Sequence, residues 1–167
     1  MIRSVSDFIM SDITYGLHFD RVIDAPRHFV CRAWTEPDRL RVWYKPDDTW
    51  SIPTAESELR VGGAYRIGLK PPGGSTFYEV GSFREVSLPD RLVYTLRFQG
   101  VHLHEPTGAE MEKYETLTTA EFQELPAERT RVIVAHEGYR TMEDRDRHQN
   151  GWPRFLDHLA KYCSAAR

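Results

Sequence analysis

Polar and apolar residues along the chain alternate with two different periods, and the switch between them outlines the fold. Leu92, Tyr94, Leu96 and Phe98 alternate with Val93, Thr95, Arg97 and Gln99, the period-two pattern of a half-buried antiparallel strand. Tyr65, Ile67 and Leu69 alternate with Arg66, Gly68 and Lys70 in the same way. Residues Leu17 to Asp24 read as a first strand, with Leu17 and Phe19 on one face. Six further strand-like segments lie near Ser57–Val61, Ala64–Lys70, Thr76–Leu88, Arg91–Gln99, Tyr114–Glu124 and Arg129–Glu137. Pro72-Gly73-Gly74 and Leu88-Pro89-Asp90 mark turns between them. Lys45 to Pro53, which includes Trp50, and Gly100 to Lys113 read as loops.

Helical spacing appears in two places. After Pro26, whose fixed φ suits a first helical position, Phe29, Val30, Ala33 and Trp34 form an apolar stripe. Thr35-Glu36-Pro37-Asp38 stops that helix and starts a second, with Thr35 a candidate N-cap and Leu40 and Trp43 on its inner side. Beyond Tyr139, Trp152, Leu156, Leu159 and Cys163 share one helical face. Pro153 inside this pattern implies a kink or a new start near Gly151. Glu143 with Arg147, and Asp157 with Lys161, have the spacing of favourable i,i+4 pairs.

The bulk numbers then narrow the function classes. At 167 residues the chain fits a single domain, divided here into an extension over residues 1–16 and one domain over 17–165. A net charge of −3, with Lys and Arg interspersed among Asp and Glu, leaves no basic footprint for nucleic acid. No apolar run approaches the roughly 20 residues of a membrane span, and the first residues lack a secretory signal, so a cytoplasmic location without membrane insertion is expected. Cys31 and Cys163 both fall on helices among apolar neighbours and read as buried thiols.

Several short motifs follow one another in order: Arg21-Val22-Ile23-Asp24-Ala25-Pro26, Trp34-Thr35-Glu36-Pro37, Gly62-Gly63-Ala64-Tyr65, Gly81-Ser82-Phe83, Arg91-Leu92-Val93-Tyr94-Thr95, His136-Glu137-Gly138-Tyr139 and Gly151-Trp152. With these the chain resembles, over about residues 17–163, the bacterial proteins related to the C-terminal domain of the activator of the heat-shock-protein-90 ATPase. That family belongs to the helix-grip superfamily, with the lipid-transfer domains, plant pathogenesis-related proteins and polyketide cyclases. The resemblance implies an α+β helix-grip (START-like) fold: a curved antiparallel sheet of six to seven strands, two short helices after the first strand, and a long C-terminal helix across the sheet. It also implies an apolar cavity between sheet and helix. The co-chaperone has a separate N-terminal domain, and only about 16 residues precede the fold in this chain, so the chaperone-activating role is not expected to transfer.

Within that frame the inner faces suggest a binding site lined by Trp34, Trp43, Tyr65, Phe83, Tyr94, Phe98, Phe122, His136, Trp152 and Leu156, with Leu96 beside them. A small apolar or aromatic molecule is the expected partner, and the protein itself is expected to be a monomer or homodimer. Arg66 and Glu79 are further polar groups on these strands, with facing left open by the pattern. His136 falls on the inner face by alternation with Val132 and Val134, where an imidazole can orient a ligand or shuttle a proton. It is the candidate acid or base if the chain is a cyclase, dehydratase or hydrolase; a regulatory or stress-related interaction module is a third reading. His102-Leu103-His104-Glu105 could bring two imidazoles together, but no third ligand at suitable spacing follows. No metal or cofactor is therefore expected. Ser, His and Asp occur without a Gly-x-Ser-x-Gly elbow, so no nucleophilic catalytic set is identified.

Overall fold

The computed structural model describes residues 14–103 and 106–166, without the side chains of residues 106 and 107. Most of the expected extension, residues 1–13, lies outside the described residues, as do His104 and Glu105. The first strand, β1 (Tyr15–Ile23), leads into helices α1 (Arg27–Thr35) and α2 (Pro37–Trp43). Six strands follow: β2 (Ser51–Ser57), β3 (Ala64–Lys70), β4 (Phe77–Ser87), β5 (Arg91–Gln99), β6 (Thr116–Leu125) and β7 (Arg129–Tyr139). Helices α3 (Met142–Gln149) and α4 (Gly151–Ala165) complete the chain.

The strands form one antiparallel seven-stranded sheet in the order β1-β7-β6-β5-β4-β3-β2. Strands β2 to β7 run as a meander, so β1 and β2 sit at opposite edges. The two short helices carry the chain from one edge to the other, which explains why they must lie directly after β1. Helix α4 lies across the concave face and buries Trp152, Leu156, Leu159 and Cys163. Pro153 stands in the first turn of α4, where its missing N–H removes no intrahelical bond. The helical pattern therefore restarts at Gly151 rather than kinking.

Four local expectations are corrected. Strand β2 spans Ser51–Ser57, whereas Ser57–Val61 was expected; Leu59 and Val61 are exposed in the turn to β3. Pro53 is tolerated because β2 is an edge strand. The stretch expected as a loop after Gly100 contains two 3-10 segments, Val101–Leu103 and Pro106–Lys113, that bury Val101 and Met111. Thr35 ends α1, donating its hydroxyl to the Cys31 carbonyl at 2.8 Å, and does not cap α2, whose N-cap Glu36 has no side-chain capping bond. Asp157 pairs with Arg21, and Lys161 with Asp48, instead of with each other; Glu143 and Arg147 do pair, at 2.8 Å.

Glycine is required where β4 and β5 close on each other. A Cβ at Gly81 would lie 1.9 Å from the Thr95 carbonyl oxygen. The register slips between Phe83 and Glu85, and the Thr95 hydroxyl accepts from the Ser82 amide at 3.0 Å. That fold-back buries Thr95 on the face expected to be polar. At the turn into β3, a Cβ on Gly63 would lie 2.0 Å from the Glu58 carbonyl oxygen. These contacts give a physical reason for two glycines of the motif pattern.

Candidate functional site

The space under α4 is largely taken by aromatic side chains. Trp34 stacks on Trp152, with centroids 6.0 Å apart and planes 7° from parallel. Trp43 packs against Trp34 at 5.4 Å and donates its indole N–H to the Ala33 carbonyl at 2.7 Å. Phe122 meets Trp34 edge-on at 5.8 Å. Two small cavities survive this packing. One of about 30 Å³ is bounded by Trp34, Tyr65, Phe83 and Tyr94; the other, about 40 Å³, by Phe98, His136, Trp152, Tyr44, Glu79 and His148. Trp43, Phe122 and Leu156 are core residues that border neither.

His136 is held by neighbours on three elements. The Trp152 indole N–H donates to Nδ1 at 3.0 Å, and the Tyr139 hydroxyl lies 2.8 Å from the same nitrogen. Nδ1 is thus the acceptor, so the ring proton sits on Nε2 and is donated to the Thr116 hydroxyl at 2.7 Å. Thr116 in turn donates to the Leu96 carbonyl at 3.1 Å. Burial pushes the imidazole down from 6.5 to about 3, with a smaller push from His148. This is a neutral imidazole with both nitrogens engaged. It braces α4 against β6 and β7 and has no lone pair left for a reacting group.

Glu79 is differently placed. Its Cα pairs with Ile67 on β3 and Phe98 on β5, so it shares the inward parity of Phe77 and Phe83. The Tyr44 hydroxyl donates to one carboxylate oxygen at 2.7 Å. Among the described residues this is its only hydrogen bond, and no Lys or Arg lines the cavity it borders. Burial, opposed in part by the Tyr44 bond, raises its carboxyl from 4.5 to about 7. Arg66 points the other way, exposed on the outer face with its guanidinium 3.8 Å over the Tyr78 ring.

Beyond the inner cavity, at the end of the sheet, lies a larger pocket of about 390 Å³. Trp50, Phe77, Phe98, Val101 and Met111 supply its apolar walls, and Arg147 and Arg154 border it. It shares Phe98, His148 and Gly151 with the inner cavity. The His148 ring stacks on Phe98 at 5.2 Å and on Tyr139 at 5.4 Å, and donates from Nδ1 to the Asp144 carbonyl at 3.0 Å. Sequence reasoning did not identify Tyr44, Trp50, Phe77, Met111 or His148 as site residues. Met111 lay in an assumed loop, whereas Phe77, and the inward facing of Glu79 that the pattern left open, could have been read from the alternation that ends at Phe83.

His102 pairs with Glu112, its Nδ1 3.0 Å from the carboxylate. Among the described residues no group of three or more His, Cys, Asp or Glu is placed to hold a metal ion. The thiols of Cys31 and Cys163 are buried, and burial pushes both up to about 12. Among the described residues no helix is long and apolar enough to cross a membrane.

The sequence model described as activator of Hsp90 ATPase homolog 1-like protein matches residues 24–164. The chain belongs to this family. Solved structures agree with that fold. A protein of Chromobacterium violaceum is 25% identical, with TM-score 0.75, covering 89% of this chain and 96% of that one. A protein of Nitrosomonas europaea is 24% identical, with TM-score 0.72, over 91% of this chain and 96% of its own. The AHSA1 protein of Silicibacter pomeroyi is 17% identical, with TM-score 0.75, over 92% and 100% respectively. No curated protein matches the chain in sequence. For this member of the family, the helix-grip architecture is therefore shared, while the residues around Glu79 and the open-end pocket are described from its own structure.

Proposed function

We propose that this protein binds a small, largely apolar molecule, and that the molecule sits at the open end of the grip. The observation that carries the proposal is the pocket of about 390 Å³ walled by Trp50, Phe77, Phe98, Val101 and Met111. Its size falls at the lower end of small-molecule sites, and its make-up matches their usual anatomy of apolar walls with a few polar groups. The middle of the grip offers only about 30 and 40 Å³. A ligand there would have to separate the Trp34–Trp152 stack, so the open end is the better seat. Helix-grip proteins commonly bind ligands, which supports the same reading by analogy.

The test is a thermal-shift screen of lipids and aromatic polyketides against the wild-type chain and Met111→Trp. The substituted indole would occupy the pocket without touching the Trp34–Trp152 core. Stabilisation of the wild type that the variant loses supports binding at this site. No stabilisation by any compound, or equal stabilisation of both proteins, refutes it.

A further inference from the structure

We infer that the ligand of the open-end pocket presents an uncharged hydrogen-bond acceptor, a ketone or other carbonyl oxygen, to the Glu79 carboxyl. This rests on the binding reading above and specifies its chemistry. Glu79 is 7% exposed, and one of its two oxygens is held by Tyr44. Because the Tyr44 hydroxyl donates to that oxygen, a proton on the carboxyl sits on the other one, which has no protein partner among the described residues. A carboxyl raised to about 7 keeps its proton over much of the neutral range. That O–H has no protein acceptor where it borders the inner cavity, and a ligand carbonyl entering there supplies one.

The pocket and the cavity that Glu79 borders are neighbours. The inner cavity and the open-end pocket share Phe98, His148 and Gly151. A Cβ built on Gly151 would meet nothing within 4 Å, and Phe98 and His148, stacked at 5.2 Å, form the rest of the common wall that a ligand passes. The inner cavity, about 40 Å³, admits a carbonyl oxygen and its carbon while the apolar body stays between Trp50, Phe77 and Met111.

Charged ends fit poorly. A carboxylate would stand beside Glu79 with no Lys or Arg in the cavity wall. An ammonium would ionise Glu79 and take two charges out of water with few further partners. The titratable groups facing Glu79 are Tyr44 after α2, Tyr65 on β3, Tyr94 on β5, His136 and Tyr139 on β7, and His148 on α3. Burial pushes the four phenols up and His136 down to about 3. A binding change between pH 6 and 8.5 that disappears in Glu79→Gln therefore reports on Glu79 rather than on His148.

Three probes with one ring body test the inference by NMR titration of the full chain: α-tetralone, tetralin, and tetralin carrying a carboxylate. At pH 6 the ketone should bind about tenfold more tightly than tetralin, the worth of one buried hydrogen bond, and the carboxylate more weakly than either. Raising the pH to 8.5 should bring the ketone's affinity down toward that of tetralin. Glu79→Leu should abolish the ketone's advantage, and Glu79→Gln, which keeps a neutral donor, should retain it at both pH values. If Glu79→Leu does not fold, the flat pH profile of Glu79→Gln decides. Equal binding of ketone and tetralin, an advantage that survives in Glu79→Leu, or preferred binding of the carboxylate overturns the inference and leaves the binding reading standing. Failure of all three probes to bind overturns both.

Discussion

Replacing Glu79 by Gln should stabilise the ligand-free protein at alkaline pH and leave it little changed at pH 5. The amide keeps an oxygen to accept from Tyr44, which donates at 2.7 Å, but it cannot ionise. In the folded chain the carboxyl is raised from 4.5 to about 7, chiefly by burial. Between those values the folded state holds more protons than the unfolded one, so stability falls as pH rises. The contribution is fully present below about 4.5 and lost once the pH passes 7. That interval, at about 1.4 kcal/mol per pH unit, amounts to about 3 kcal/mol, most of it between pH 5 and 8. The assay is urea unfolding followed by tryptophan fluorescence at pH 5, 6.5 and 8, on wild type and variant. Other carboxylates titrate in both proteins, so the difference between the two isolates position 79. A gap that widens by about 3 kcal/mol with pH is expected. Parallel stability curves across this range would refute the buried, unpaired carboxyl.

Three other perturbations probe the frame around it. Gly81→Ala places a methyl group 1.9 Å from the Thr95 carbonyl oxygen; chemical denaturation should show a loss of at least about 2 kcal/mol from forced repacking of β4 against β5. His136→Ala leaves Trp152, Tyr139 and Thr116 without their common partner and should cost about 3 kcal/mol at pH 7.5. The wild-type imidazole is held down to about 3, so its contribution is lost as pH falls from 6.5 toward 3, and the wild-type advantage should shrink over that window. Cys31 and Cys163, both pushed up to about 12 by burial, should resist iodoacetamide in the folded protein at pH 8 and react in denaturant, as mass spectrometry would record.

What the sequence reveals here follows from which signals are local. Strands β3 and β5 have the bounds that alternation predicts, because each side chain's facing is set by the pleat. Strand β2 escapes the pattern: an edge strand carrying Pro53 and Ala55 has little β-branched or aromatic content. Leu59 and Val61 mimic a strand from an exposed turn. Val101 and Met111 are buried by 3-10 segments too short to show a period. The residual volume under α4 is further from reach, since it depends on how four elements bring Trp34, Trp43, Phe122 and Trp152 into one stack. A pattern identifies an inward side chain without saying whether it lines a space or fills one.

Glu79 and His136 border the same cavity, and their partners assign them opposite roles. His136 is 1% exposed, yet donors from α4 and β7 and an acceptor on β6 engage both its nitrogens. The Trp152 bond ties helix to sheet, the Thr116 bond ties β6 to β7 and the Tyr139 bond lies within β7, so the imidazole works as a polar brace, and burial holds its pKa down to about 3. Glu79 has one side-chain bond, accepted from the buried Tyr44 hydroxyl. A leucine there could not ionise but would leave the buried Tyr44 hydroxyl without its acceptor, whereas the carboxyl costs about 3 kcal/mol above pH 7. A group that lowers stability above pH 7 and makes a single side-chain bond is a stronger candidate for binding chemistry than one engaged on every side. The inward parity of Phe77, Glu79 and Phe83 places that group on the wall of the inner cavity, which shares Phe98, His148 and Gly151 with the open-end pocket. Burial alone would not have separated the two residues. The count and direction of their hydrogen bonds does, and it moves the candidate chemistry from the histidine to the carboxyl.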